Sequence, residues 1–175
     1  MFYKSKDLSH RLKINLAKWK RWVREFLPPD PLGGLQSGYA RQLNLREVFK
    51  VYLGGHLVST LKFSVPQAKL ILSDLGPWLR KNGFFNLQWD QWISAADTSA
   101  PHMIYIIESP RQELAYVIRT IRSHKTSNQG RYCQQTLTQT VIKGNDYMLT
   151  DITMPSVRVL SLTHMANAFM DRLKP

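Results

Sequence analysis

Apolar residues in the first part of the chain recur at helical spacing. Leu8 and Leu12 stand i, i+4 apart and predict a short helix over residues 4–13, followed by a turn at 14–15. Residues 16–26 predict a second helix whose inward face is Leu16, Trp19, Val23 and Phe26, with Trp22 one turn away and positioned to brace the next segment of the chain. The stretch Pro28-Pro29-Asp30-Pro31-Leu32-Gly33-Gly34 ends it, because prolines remove backbone donors and glycines favour turns. Asn44, with Glu47 three residues on, has the form of a capping box. Leu45, Val48, Phe49, Tyr52, Leu53 and Leu57 then follow as one face of an amphipathic helix. Ser64 and Gln67 repeat the cap signature ahead of Ala68, Ile71, Leu72 and Leu75, and Gly76-Pro77 predicts a break or kink.

Beyond this the pattern changes. Residues 84–101 are aromatic at Phe84, Phe85, Trp89 and Trp92, then small and polar, which places a domain boundary near their end. His102–Glu108 reads as a strand. Ser109-Pro110 with Glu113 reads as a helix start, and Leu114, Val117, Ile118 and Ile121 as that helix's apolar face. Ser123–Gly130 is loop-like, and two β-branched stretches flanking Lys143-Gly144-Asn145-Asp146 predict a hairpin. Val157–Leu162 is a further strand, with Thr163 capping a last helix through Leu173.

Charge narrows the classes of function. The formal net charge is +12, from 24 Lys and Arg against 12 Asp and Glu. Residues 1–25 hold eight of the cations against Asp7 and Glu25, so the excess is concentrated at the start. A dense positive segment attracts polyanions, of which phosphate backbones are the commonest. Cys133 is the single cysteine, which excludes an internal disulfide and a cysteine-cluster metal site. With no apolar run of membrane-spanning length and no secretory signal, the chain is expected in the cytoplasm, with no membrane partner. His10, His56, His102, His124 and His164 are scattered, and neither Cys133 nor Glu108, Asp146 and Asp151 has a catalytic companion. Neither an enzyme nor a cofactor or metal is expected.

Two short helices joined by a tight turn can place the second in a DNA major groove while the first braces it. Residues 4–26 fit, with Lys18, Lys20, Arg21 and Arg24 crowding the second helix. Their order continues the pattern: Trp19-Lys20-Arg21-Trp22-Val23-Arg24-Glu25-Phe26-Leu27-Pro28-Pro29, then Ser37-Gly38-Tyr39-Ala40-Arg41, then Leu43 through Val48, then Phe63-Ser64-Val65-Pro66-Gln67. Over residues 3–75 this resembles the opening of MerR-family regulators. The resemblance implies a winged helix-turn-helix in which Ser37–Arg41 is the wing strand. It departs from the family at Phe26 and Lys13, where glycines are frequent, and at Ala40, where the wing arginine is displaced to Arg41.

The fold expected is therefore α+β: a MerR-like winged helix-turn-helix over 1–83, a linker or packing segment over 84–101, and a small α+β domain over 102–175 for dimerisation or effector sensing. The function expected is sequence-specific binding of double-stranded DNA by a homodimer, as in transcriptional regulation, with any small-molecule effector unknown. The candidate DNA-binding residues are Lys4, Lys6, Lys18, Lys20, Arg21, Arg24, Tyr39 and Arg41. An excisionase-like architectural factor, or a protein-interaction module that keeps the fold without binding DNA, is the alternative.

Overall fold

A computed structural model describes residues 2–30, 41–85, 101–109, 113–125, 133–143 and 156–174. Among these the chain is α+β, with five helices, a two-stranded sheet and a four-stranded sheet, both antiparallel. It divides into two units, one of residues 1–92 with 168–175 and one of residues 93–167. The stretch expected as one C-terminal domain, 102–175, is thus shared, its last residues belonging to the first unit.

In the first unit, β1 (Phe2–Lys4) leads directly into α1 (Ser5–Arg11). The tight turn after α1 leaves Lys13 at φ 55°, in the left-handed region. Ile14 N–H donates to the Ser9 carbonyl at 2.9 Å and Lys13 N–H to the His10 carbonyl at 3.2 Å, the paired bonds of a Schellman ending. Glycine normally fills that position, and a lysine there costs about 1 kcal/mol. Asn15 then caps α2 (Leu16–Phe26), its side chain accepting from the Ala17 and Lys18 N–H groups. Trp19, Trp22, Val23 and Phe26 are buried along one side of α2.

β2 (Gln42–Asn44) pairs with β1, setting Tyr3 opposite Leu43 with both side chains buried. The described strand thus begins one residue after the expected wing stretch Ser37–Arg41, and its partner is the start of the chain, which periodicity had not marked. Residues 31–40 lie outside the described residues. Both expected capping boxes are present: Asn44 with Glu47 opens α3 (Leu45–Ser59), and Ser64 with Gln67 opens α4 (Val65–Lys81). Gly76-Pro77 does not end α4, which runs on through Pro77 to Lys81. The proline takes away the N–H that would bond the Ser73 carbonyl, and Ser73 and Pro77 are both exposed, so water can serve that carbonyl instead.

Two glycines of α3 let it come close to α2. A Cβ on Gly54 would lie 2.7 Å from Cδ2 of Phe26, and one on Gly55 would clash with the Trp22 ring at Cε3. Phe26 is accommodated by a glycine on the neighbouring helix. The end of α5 (Leu162–Leu173) belongs to the same unit. The Phe169 ring lies 5.1 Å from those of Phe49 and Tyr52, centroid to centroid. Arg11 Nη1 donates to the Leu173 and Lys174 carbonyls at 3.2 and 2.9 Å, while Arg172 Nη1 donates to the Leu12 carbonyl at 3.3 Å. Cations on the last carbonyls of a helix complement its dipole.

The second unit is a four-stranded sheet in the order β5-β4-β3-β6, built from β3 (His102–Glu108), β4 (Leu114–Lys125), β5 (Cys133–Lys143) and β6 (Ser156–Ser161). It corrects two expectations. Leu114–Lys125 is a strand, not a helix followed by a loop. The Ser109 and Glu113 pair closes the β3–β4 hairpin: Ser109 N–H donates to the Glu113 carbonyl at 2.9 Å, and Glu113 N–H to Ser109 Oγ at 3.2 Å. Thr163 lies within the first turn of α5, and its Oγ1 accepts the His102 N–H at 2.9 Å. β5 pairs with β4; the expected turn at Gly144–Asp146 and the strand after it lie outside the described residues. Ile104, Ile106, Tyr116, Ile118 and Leu160 are all buried, and register places them on one face.

Candidate nucleic-acid interface

Helix geometry separates α2 into two sides. At about 100° per residue, Ala17, Lys20, Arg21 and Arg24 span roughly 100° of arc, opposite the arc of Trp19, Trp22, Val23 and Phe26. All four of the first group are exposed, and all four of the second are buried. The aromatic side anchors the helix; the cationic side faces outward.

Ion pairing leaves that stripe charged. Glu25 is the nearest acid, and it bonds Lys69 of α4, with Oε2 2.8 Å from Nζ. That hydrogen bond and the Lys69 charge, with smaller contributions from Arg21 and Arg24, hold its carboxyl below the ordinary glutamate range. Lys20, Arg21 and Arg24 themselves make no hydrogen bond or ion pair among the described residues. Lys18 is also exposed but points to another side, its ammonium 5.0 Å from the centre of the Trp22 ring.

The other expected contacts are placed differently. Lys4 is on β1 and Lys6 in the first turn of α1, both exposed. Tyr39 lies outside the described residues. Arg41 has its guanidinium turned inward: Nη1 donates to the Pro28 carbonyl at 2.8 Å and Nη2 to Glu47 Oε1 at 3.2 Å. Its side chain is 19% exposed, and Glu47 is the same residue that completes the α3 capping box. Arg41 thus ties the segment after α2 to the start of α3.

Sequence reading passed over several cations that the packing gathers. Arg46, Lys50, Lys69 and Arg80 line a cleft of about 360 Å³ together with Glu25 and Phe85. The i, i+4 spacing of Arg46 and Lys50 was the available signal; their meeting with α4 depends on how the helices pack. A second cleft, of about 330 Å³, is lined by Lys13, Lys18, Trp22, Tyr52, His56 and Arg172. Burial lowers the His56 pKa from its ordinary value of 6.5.

Among the described residues no three His, Cys, Asp or Glu side chains converge as a metal site, and no helix is long and apolar enough to cross a membrane. No family model matches the chain, and no curated protein matches it in sequence.

Proposed function

We propose that this chain binds double-stranded DNA sequence-specifically as a transcriptional regulator, using a MerR-like winged helix-turn-helix formed by its N-terminal residues. The observation that carries the reading is the two-sided character of α2. Its aromatic side is buried, and Lys20, Arg21 and Arg24 stand exposed and unpaired among the described residues on the other. A helix about 10–12 Å across fits a major groove about 12 Å wide, and arginines there reach guanine edges or phosphates. α1 and the Lys13 turn set the angle of approach, and Lys18, Lys4 and Lys6 add phosphate contacts at the margins.

The test is titration against random-sequence duplex DNA over a range of salt. Binding through phosphates gives an affinity that falls steeply as salt rises. Replacing Arg21→Ala together with Arg24→Ala is expected to lower the logarithmic salt slope by about 1.8, two phosphate contacts' worth. A flat salt dependence, or a double variant with the wild-type slope, overturns the reading.

A further inference from the structure

Among the described residues β5 occupies one edge of the four-stranded sheet; its register shift at Ile142 and its one charge, Lys143, both lie at its C-terminal end, and Cys133 to Val141 carries neither charge nor proline to guard the edge. Exposed edge strands present unpaired N–H and C=O groups and are normally kept short, charged, interrupted by proline or covered. β5 spans 11 residues, contains no proline, and carries no charged residue from Cys133 to Ile142. Every side chain from Thr136 to Val141 is exposed, and among the described residues no strand pairs with its outer side. The opposite edge, β6, is six residues long and carries Arg158.

Five residues at the middle of the exposed stretch of β5 are also nearly the same read in either direction about Gln139: Thr138 and Thr140 flank it, then Leu137 and Val141. A two-fold axis requires that residue i face j while j faces i. An antiparallel copy centred on Gln139 meets this condition, setting Leu137 against the partner's Val141, Thr138 against its Thr140, and Gln139 against itself. Leu137 and Val141 are 56% and 45% exposed, large fractions for apolar side chains. They lie on the sheet face of Ile121 and Val117, their β4 partners, so the new pairing would extend an existing apolar stripe. Thr138 and Thr140 lie on the other face, where paired β-branched side chains are favourable cross-strand neighbours.

We propose that two copies of this chain associate through β5, antiparallel and in the register centred on Gln139, joining two four-stranded sheets into one of eight strands. The proposal does not depend on DNA binding, and its test contains no DNA. The full chain is followed by sedimentation equilibrium over a concentration series, and the wild type is expected to form a dimer that dissociates on dilution. Leu137→Lys with Val141→Lys places like charges opposite each other twice across the axis and is expected to weaken the dimer tenfold or more. Leu137→Lys with Val141→Glu places opposite charges there and is expected to restore it. Both pairs alter exposed positions, and circular dichroism checks that each variant is folded. In a Cys133→Ser background, Gln139→Cys is expected to cross-link to its own counterpart on oxidation, whereas Thr136→Cys, far from the axis, is not. A wild type that stays monomeric up to roughly millimolar concentration overturns the proposal. So does equal behaviour of the Lys/Lys and Lys/Glu variants, or equal cross-linking at 136 and 139.

Discussion

The Trp22 indole occupies the space where a side chain on Gly55 would begin. α2 and α3 therefore touch ring against backbone, and the buried side of α2 is fixed by a residue that has no side chain. The contact is what allows a tryptophan to lie between the two helices while its neighbours Arg21 and Arg24 remain outside.

Gly55→Ala is expected to destabilise the protein by about 1–3 kcal/mol, the usual cost of overpacking a close-packed contact. Alanine's better helix propensity returns up to about 1 kcal/mol of this, so the loss measured lies towards the lower end. Urea denaturation followed by tryptophan fluorescence checks it. In a Trp22→Leu background the same substitution should cost much less, since the smaller side chain can give way. A Gly55→Ala protein more stable than the wild type would show that the contact is looser than described.

Arg41→Ala separates an internal role from a surface one. Its bonds to the Pro28 carbonyl and Glu47 predict a stability loss of about 1 kcal/mol, modest because Glu47 is partly exposed. The salt slope of DNA binding should stay at the wild-type value. A variant with unchanged denaturation midpoint and a shallower salt slope would assign Arg41 to the ligand instead.

His56 predicts a stability that falls as the solution is acidified from neutrality. Its folded-state pKa lies below 6.5, so the folded protein keeps the imidazole neutral where the unfolded chain takes up a proton. The stabilisation is complete above the unfolded value, about 6.5, and is lost as pH falls from there through the folded value. The slope is at most about 1.4 kcal/mol per pH unit for one proton. Denaturant midpoints for wild type and His56→Gln across this window check it, and an equally steep decline in the variant would assign the effect to other groups. Glu25 acts in a separate, lower window. Its depressed carboxyl contributes above about 4.5, and that contribution is lost at more acid pH.

The parts of the fold that could be read from the sequence were those that local chemistry decides. Asn44 with Glu47 and Ser64 with Gln67 place helix starts within four residues, so α3 and α4 were legible at their N-termini. The buried and exposed sides of α2 came from periodicity, and with them the stripe of Lys20, Arg21 and Arg24. β4 was not legible. It runs between β3 and β5, and Leu114 through Ile118 are buried on both faces, which erases the alternation that marks a strand. The apolar spacing left behind matches a helix, and Ser109 with Glu113 supplied a false cap because the same two residues close the hairpin. Arg41 could not be placed either, since its partners, Pro28 and Glu47, stand 13 residues before it and 6 after it at no spacing that marks a contact. Nor does spacing along one helix show that Arg46 and Lys50 share a cleft with Lys69 and Arg80.

The reciprocal bonds of Arg11 and Arg172 join residues separated by 160 positions or more, which bears on the order of assembly. During synthesis α1 and α2 emerge well before α5, and their caps and the Trp19 side can form without it. The carbonyls that anchor Arg11, and the guanidinium that anchors Leu12, arrive only when the chain has been extended to Lys174. α1 and α2, made long before α5, are thus among the last parts of their unit to be fully secured.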